Sequence, residues 1–170
     1  MSEEGRPGPR VGVVMGSESD RPVMGVAGEV LNSLGVPFEI RVASAHRTPE
    51  RTLDYARAAE GRGLKVIICG AGMSAHLAGV VASSTVLPVV GVPLSGASPL
   101  GGMEALLSTV QMPSGVPVAT VAINGAKNAA WLAARILALG DPELASRVKA
   151  AREAAAAAAA VADAVDGRLK

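Results

Sequence analysis

Aromatic side chains are nearly absent from this 170-residue chain: Phe38, Tyr55 and Trp131 are the whole set. A surface that binds nucleic acid by stacking bases is therefore disfavoured. The formal net charge of +1, with both signs scattered and no basic stripe, removes the electrostatic half of that case. Flavin binding, which usually wants a stacking ring, is disfavoured on the same ground. Cysteine occurs once, as Cys69 within "KVIICG", so no disulfide framework can form within the chain. A buried, reduced thiol and a cytoplasmic location are expected. No stretch of about 18 apolar residues runs free of Gly, Pro or polar residues, so no membrane-spanning helix is expected. The first ten residues, "MSEEGRPGPR", carry no apolar signal core and read as a short flexible leader over 1–10. Histidine occurs only at 46 and 76, in separate loops, so no metal site is expected. Neither a Walker loop nor a G-x-G-x-x-G after the first strand is present.

What remains is aliphatic. Hydrophobic residues make up 49% of the chain, drawn from Val, Ile, Leu, Ala and Met. That suits helices packed closely on a sheet, with apolar surface left over for contacts between subunits. Strand-length apolar runs alternate with helical stretches. Strands are expected at Val11–Met15, Phe38–Val42, Lys65–Cys69, Pro88–Val92 and Val116–Ile123. Between them, Arg21–Leu34 reads as a helix with Asp20 as N-cap and Pro22 in its first turn. Another starts at Pro49 behind Thr48, and a short one spans His76–Ser83. Helices are also expected over Met103–Thr109 and Lys127–Leu139. The alternation implies a three-layer α/β/α sandwich on a parallel sheet, flavodoxin-like or Rossmann-like. One domain is expected over 11–140. Residues 141–170, with their alanine run, form a last helix that is peripheral or lies at an interface.

In an open parallel sheet, ligands bind beyond the carboxyl ends of the strands. The polar segments fall there: "GSESD" after the first strand, "SAHRTPE" after the second, "GAGMSAH" after the third and "PLSGASPLGG" after the fourth. In the first, Ser17 and Ser19 offer hydroxyls beside the free N–H groups of a helix start, which suits an anion. Asp20 either caps the helix or holds a ribose hydroxyl, and the two roles are compatible. In the second, Arg47 either grips phosphate oxygens or forms a surface ion pair, and Ser44 adds a hydroxyl. His46 is the evident general acid/base there, the alternative being a satisfied loop histidine. In the third, Gly70 and Gly72 permit close backbone approach to a flat ligand. His76, near a helix start, suits a structural role as well as a catalytic one.

Taken together, "MGSESD", "SAHRTPE", "GAGMSAHLAG", "VQMPSGVPVATVAI" and "KNAAWLAARIL" resemble the PurE family of purine biosynthesis, in its class I form. The likeness runs in the same order from about Val11 to Leu139. It implies a flavodoxin-like sandwich assembled as a homo-octamer. It also implies a mutase that moves a carboxyl group of N5-carboxyaminoimidazole ribonucleotide from the exocyclic nitrogen to ring carbon C4. No metal, ATP or organic cofactor is implied. By motif, Ser19, Ser44 and Arg47 would contact the 5′-phosphate of this small-molecule aminoimidazole ribonucleotide, and Asp20 the ribose. Ser17, Ala45, Gly70, Ala71, Gly72 and Leu77 would border the ligand, His46 would transfer the proton, and His76 would stand nearby. Sibling class II enzymes, which carboxylate with free CO2, typically carry "SAHKT" and lack the third-loop histidine. Arg47, Pro49 and His76 match class I. The third loop commonly reads "GAGGAAHLPG"; Met73, Ser74 and Ala78 depart from it. A CO2-using carboxylase, a nucleotide-binding module of the same fold and a scaffold without chemistry are the rival readings.

Overall fold

The computed structural model describes residues 8–166. Five parallel strands form one sheet in the order β2-β1-β3-β4-β5. They are β1 (Val11–Met15), β2 (Phe38–Val42), β3 (Val66–Gly72), β4 (Val89–Leu94) and β5 (Ala119–Thr120). The helices are α1 (Arg21–Ser33), α2 (Pro49–Ala59), α3 (Leu77–Ala82), α4 (Met103–Val110), α5 (Ala126–Ala138) and α6 (Pro142–Asp166). The sandwich is flavodoxin-like, and its strand order reverses direction between β1 and β3.

The pleat divides the core in two. Val11, Val13 and Met15 of β1, with Val66 and Ile68 of β3, face α1 and α5. Val14, Ile67 and Cys69 face α2 and α3. Both faces are covered, which explains why β3 reads as an unbroken apolar run. Small residues set how closely the layers approach. Ala126, Ala129, Ala130, Ala133 and Ala134 put one bare stripe of α5 into the core. At Gly70 a Cβ would stand 2.2 Å from Met24 Sδ, so any larger residue would have to displace the buried Met24 side chain that α1 lays on β3.

The strands differ from expectation at their ends. β3 and β4 each run beyond Cys69 and Val92, to Gly72 and Leu94. There they pair with each other, Ala71 opposite Pro93 and Gly72 opposite Leu94. The fifth strand, expected over 116–123, shrinks to Ala119–Thr120. It is an edge strand paired only with β4, and Pro117 just before it has no N–H to give a ladder. Of the expected leader, residues 1–7 lie outside the described residues. Arg10 is tied in: its N–H donates to Pro37 O at 2.9 Å, and its Nη1 meets Asp141 Oδ2 at 2.8 Å. The last helix packs Leu144 and Val148 into the core, and from Arg152 to Val161 it is exposed.

Candidate active site

Register places the site. Met15 lies opposite Val42 on one side and Gly70 on the other, and Gly70 lies opposite Val92. One row across the sheet therefore launches the loops after β1 and β2, while β3 and β4 continue two residues past it. The loops enclose a cleft of about 550 Å³ above the point where strand order reverses. Gly16, Ser17, Ser19, Asp20, Ser44, Ala45, His46, Arg47, Ala71, Gly72, His76 and Leu77 all line it.

The β1 loop is a single 3₁₀ turn, Glu18–Asp20, closed by its own side chains. Ser17 N–H donates to Asp20 Oδ2 at 3.0 Å, and the Ser19 hydroxyl donates to Ser17 Oγ at 2.9 Å. Asp20 thus reaches back to Ser17 and makes no side-chain cap on α1, contrary to expectation. Burial raises its carboxyl above the ordinary value, against the pull of the Ser17 N–H and the Arg47 charge.

The β2 loop is held in the same way. Thr48 makes no side-chain cap on α2. Its hydroxyl accepts from Ser44 N–H at 3.2 Å and donates to Ser44 O at 3.1 Å, locking the loop into one turn. Pro49 then starts α2, where its missing N–H costs nothing. Arg47 is exposed and folded over the β1 loop, its Nη2 donating to Gly16 O at 3.0 Å and its Nε to Ser44 Oγ at 3.4 Å. No carboxylate within ion-pair range neutralises it among the described residues. A guanidinium with no carboxylate partner, lining the same cleft as Ser17, Ser19 and Ser44, is able to receive an anion there.

Both histidines line the same cleft. His46 Nε2 lies 2.9 Å from His76 Nδ1, with the rings edge to face and 5.0 Å between centroids. One nitrogen of that contact must carry the proton and the other must accept it, so the two tautomers are coupled. Both rings are exposed to the cleft side of the molecule, and neither is a core histidine.

One expected residue is absent from the cleft. Gly70 is buried in β3 with Met24 against it, and it is not among the residues that line the cleft. Leu77 reaches the lining while keeping all but 2% of its surface buried. Met73, whose departure from the usual third loop suggests a narrowed or reshaped carboxylate pocket, and Ser74 both line the cleft, Met73 in the left-handed region at φ 53°. Gly96 and Ala97 also line it and were not singled out. Their signal was position, since they follow a strand end. A second groove, of about 600 Å³, runs between α5 and α6. Its walls are largely alkyl, with no histidine, and it lies away from the strand ends.

Fold and cleft define a flavodoxin-like α/β protein whose polar groups converge at the switch point of a parallel sheet. Comparison narrows this. The family model for AIR carboxylase matches residues 10–158, and the chain belongs to that family, PurE. The N5-carboxyaminoimidazole ribonucleotide mutase of Thermotoga maritima is 59% identical over 145 residues, covering 85% of this chain and 84% of the relative. That of Mycobacterium tuberculosis is 54% identical over 164 residues, 95% of this chain and 92% of the relative. The phosphoribosylaminoimidazole carboxylase of Ogataea methanolica is 59% identical over 134 residues, 79% of this chain but 24% of that longer protein. Among solved structures, Treponema denticola PurE aligns with TM-score 0.79 at 33% identity, covering 95% of this chain and 99% of that one.

Proposed function

We propose that this protein is an N5-carboxyaminoimidazole ribonucleotide mutase of purine biosynthesis, working through a histidine proton shuttle. The observation that carries the reading is the His46–His76 contact at 2.9 Å, in one cleft with an Arg47 that has no carboxylate partner among the described residues. Arg47, Ser19 and Ser44 take the 5′-phosphate, and Asp20 takes the ribose. Ser17, Ala45, Ala71, Gly72 and Leu77 border the ring and its carboxylate. The bond between the exocyclic nitrogen and the carboxyl carbon breaks, and the nitrogen gains a proton as CO2 is freed. Ring carbon C4 attacks that CO2, a C–C bond forms, and the C4 proton leaves. One proton is delivered and one recovered, so a single acid/base group ends the cycle as it began. His46 is that group. When His46 Nε2–H donates to His76, His46 Nδ1 is left as the free base; the reverse tautomer leaves it none. His76 therefore sets which nitrogen of His46 is basic. Confinement of CO2 beside C4 takes the place of chemical activation.

A carboxylase that draws CO2 from solution is the second reading, favoured by the equal identity to the fungal carboxylase. Supplying the carbamate ribonucleotide without bicarbonate, and aminoimidazole ribonucleotide with it, separates the two. Efficient formation of the C4 carboxylate only from the carbamate is the expected result; activity only with bicarbonate overturns it. A cytoplasmic location and a homo-octameric assembly belong to the same reading. Apolar surface supports the latter: Met103, Leu107 and Val110 form an exposed stripe along α4, and Leu139 is 90% exposed.

A further inference from the structure

Asn124 lies outside the cleft lining, yet its backbone binds the end of β4 and its side chain binds the connection that forms one of the cleft's walls. It sits just past β5 with φ 58°, in the left-handed region where few residues other than glycine settle without strain. Its N–H donates to Pro93 O at 2.8 Å. Its Oδ1 accepts from Ser95 N–H at 3.1 Å, and its Nδ2 donates to Ser95 Oγ at 2.8 Å. Ser95 opens the β4–α4 connection, 95–102, whose Gly96 and Ala97 line the cleft. The other hydrogen bonds of residues 95–99 run within that connection: Ser98 N–H to Ser95 O, Leu100 N–H to Ser98 Oγ and Gly101 N–H to Ser98 O. Among the described residues, every hydrogen bond reaching 95–99 from elsewhere in the chain comes from Asn124. A strained backbone held by bonds that converge on one loop is the kind of local cost that persists where a site needs it.

We propose that Asn124 is a positioning residue: by clamping Ser95 it holds the Gly96–Ala97 wall in place, and that wall keeps freed CO2 beside the ring. The second half rests on the mutase reading above. A loose wall lets CO2 escape after the C–N bond breaks, leaving aminoimidazole ribonucleotide in place of the C4 carboxylate. Loss of the clamp therefore uncouples the two halves of the reaction more than it slows the first.

Asn124→Gly tests this, because glycine keeps the left-handed backbone and removes only the clamp. Amide hydrogen exchange at Ser95, which needs no ligand, is expected to speed up at least about tenfold, with Val13 and Ile68 in the sheet unchanged. With the carbamate ribonucleotide, the ratio of decarboxylated to C4-carboxylated product, corrected for spontaneous decay, is expected to rise about tenfold. Asn124→Asp keeps the acceptor for Ser95 N–H, and its second carboxylate oxygen can accept from the Ser95 hydroxyl in place of the lost Nδ2–H donor, so it is expected to restore both measures. Unchanged exchange at Ser95, or exchange that speeds equally throughout the sheet, overturns the clamp. A product ratio within about twofold of wild type in an active Asn124→Gly enzyme overturns the role in catalysis, as does an Asn124→Asp enzyme that leaks as much as Asn124→Gly. A wild-type enzyme inert toward the carbamate would count against the mutase reading and, with it, the role in catalysis, leaving exchange at Ser95 to judge the clamp.

Discussion

His46 and Arg47 are neighbours in sequence with separate work, and substitution should separate them. His46→Gln keeps polar shape but cannot act as a base near neutral pH. It should bind the ribonucleotide while losing about 10²–10⁴-fold in kcat. His76→Gln should cost less, since that side chain only sets the tautomer of its neighbour. Equal losses in the two variants would contradict a single proton carrier. Arg47→Ala removes a charge-assisted contact worth about 1.5–3 kcal/mol, and should raise KM more than it lowers kcat. Unchanged KM with lowered kcat would remove Arg47 from the phosphate end. Glu39 on β2 answers to pH instead. Burial works to raise its carboxyl, but hydrogen bonds from Arg62, Tyr55 and Arg41 outweigh this and hold it below its ordinary value of 4.5. The unfolded chain therefore takes up the proton first as pH falls. The stabilisation is full above the unfolded value and is lost on acidification toward the lower folded one. Denaturant midpoints between about pH 3 and 6 should fall less steeply for Glu39→Gln than for wild type; equal slopes would assign the acid sensitivity to other carboxylates.

At the scale of elements, what the sequence revealed depended on how locally each feature is determined. β1 and β2 match their expected bounds because an apolar run in one, an alternating pattern in the other, and flanking turns define them without help. The strand-end rule alone gathers the cleft-lining residues into four short segments of the sequence. The cap roles of Asp20 and Thr48 were not legible in that way. Both side chains had two partners within reach, and loop closure took them from the helices they precede. Gly70 was ambiguous for a related reason. A glycine near a strand end suits ligand approach and helix packing equally, and only Met24, 46 positions earlier in the chain, decides between them. Gly70→Ala should therefore act on α1 before it acts on any ligand, costing about 1–3 kcal/mol by overpacking. A variant with wild-type stability and impaired substrate binding would return Gly70 to the site.

For the whole molecule, the aliphatic composition has two destinations. Much of it fills the paired cores on either side of the sheet. The rest lies on the surface, in the α4 stripe, at Leu139 and along the exposed alanine run of α6. Light scattering at micromolar concentration should find a stable oligomer of eight copies; a monomer would leave that surface unexplained. The cleft has a simpler logic. On the proposed reading, Arg47 receives the phosphate and His46 carries the proton in one cleft, which suits a phosphorylated substrate whose carboxyl group never leaves. Turnover of the unlabelled carbamate ribonucleotide in ¹³C-bicarbonate tests that most directly. Product whose C4 carboxylate stays essentially unlabelled is the expected result, because the migrating CO2 is the substrate's own. A carboxylate labelled to the level of the bicarbonate pool would contradict confinement and make the protein a user of dissolved CO2.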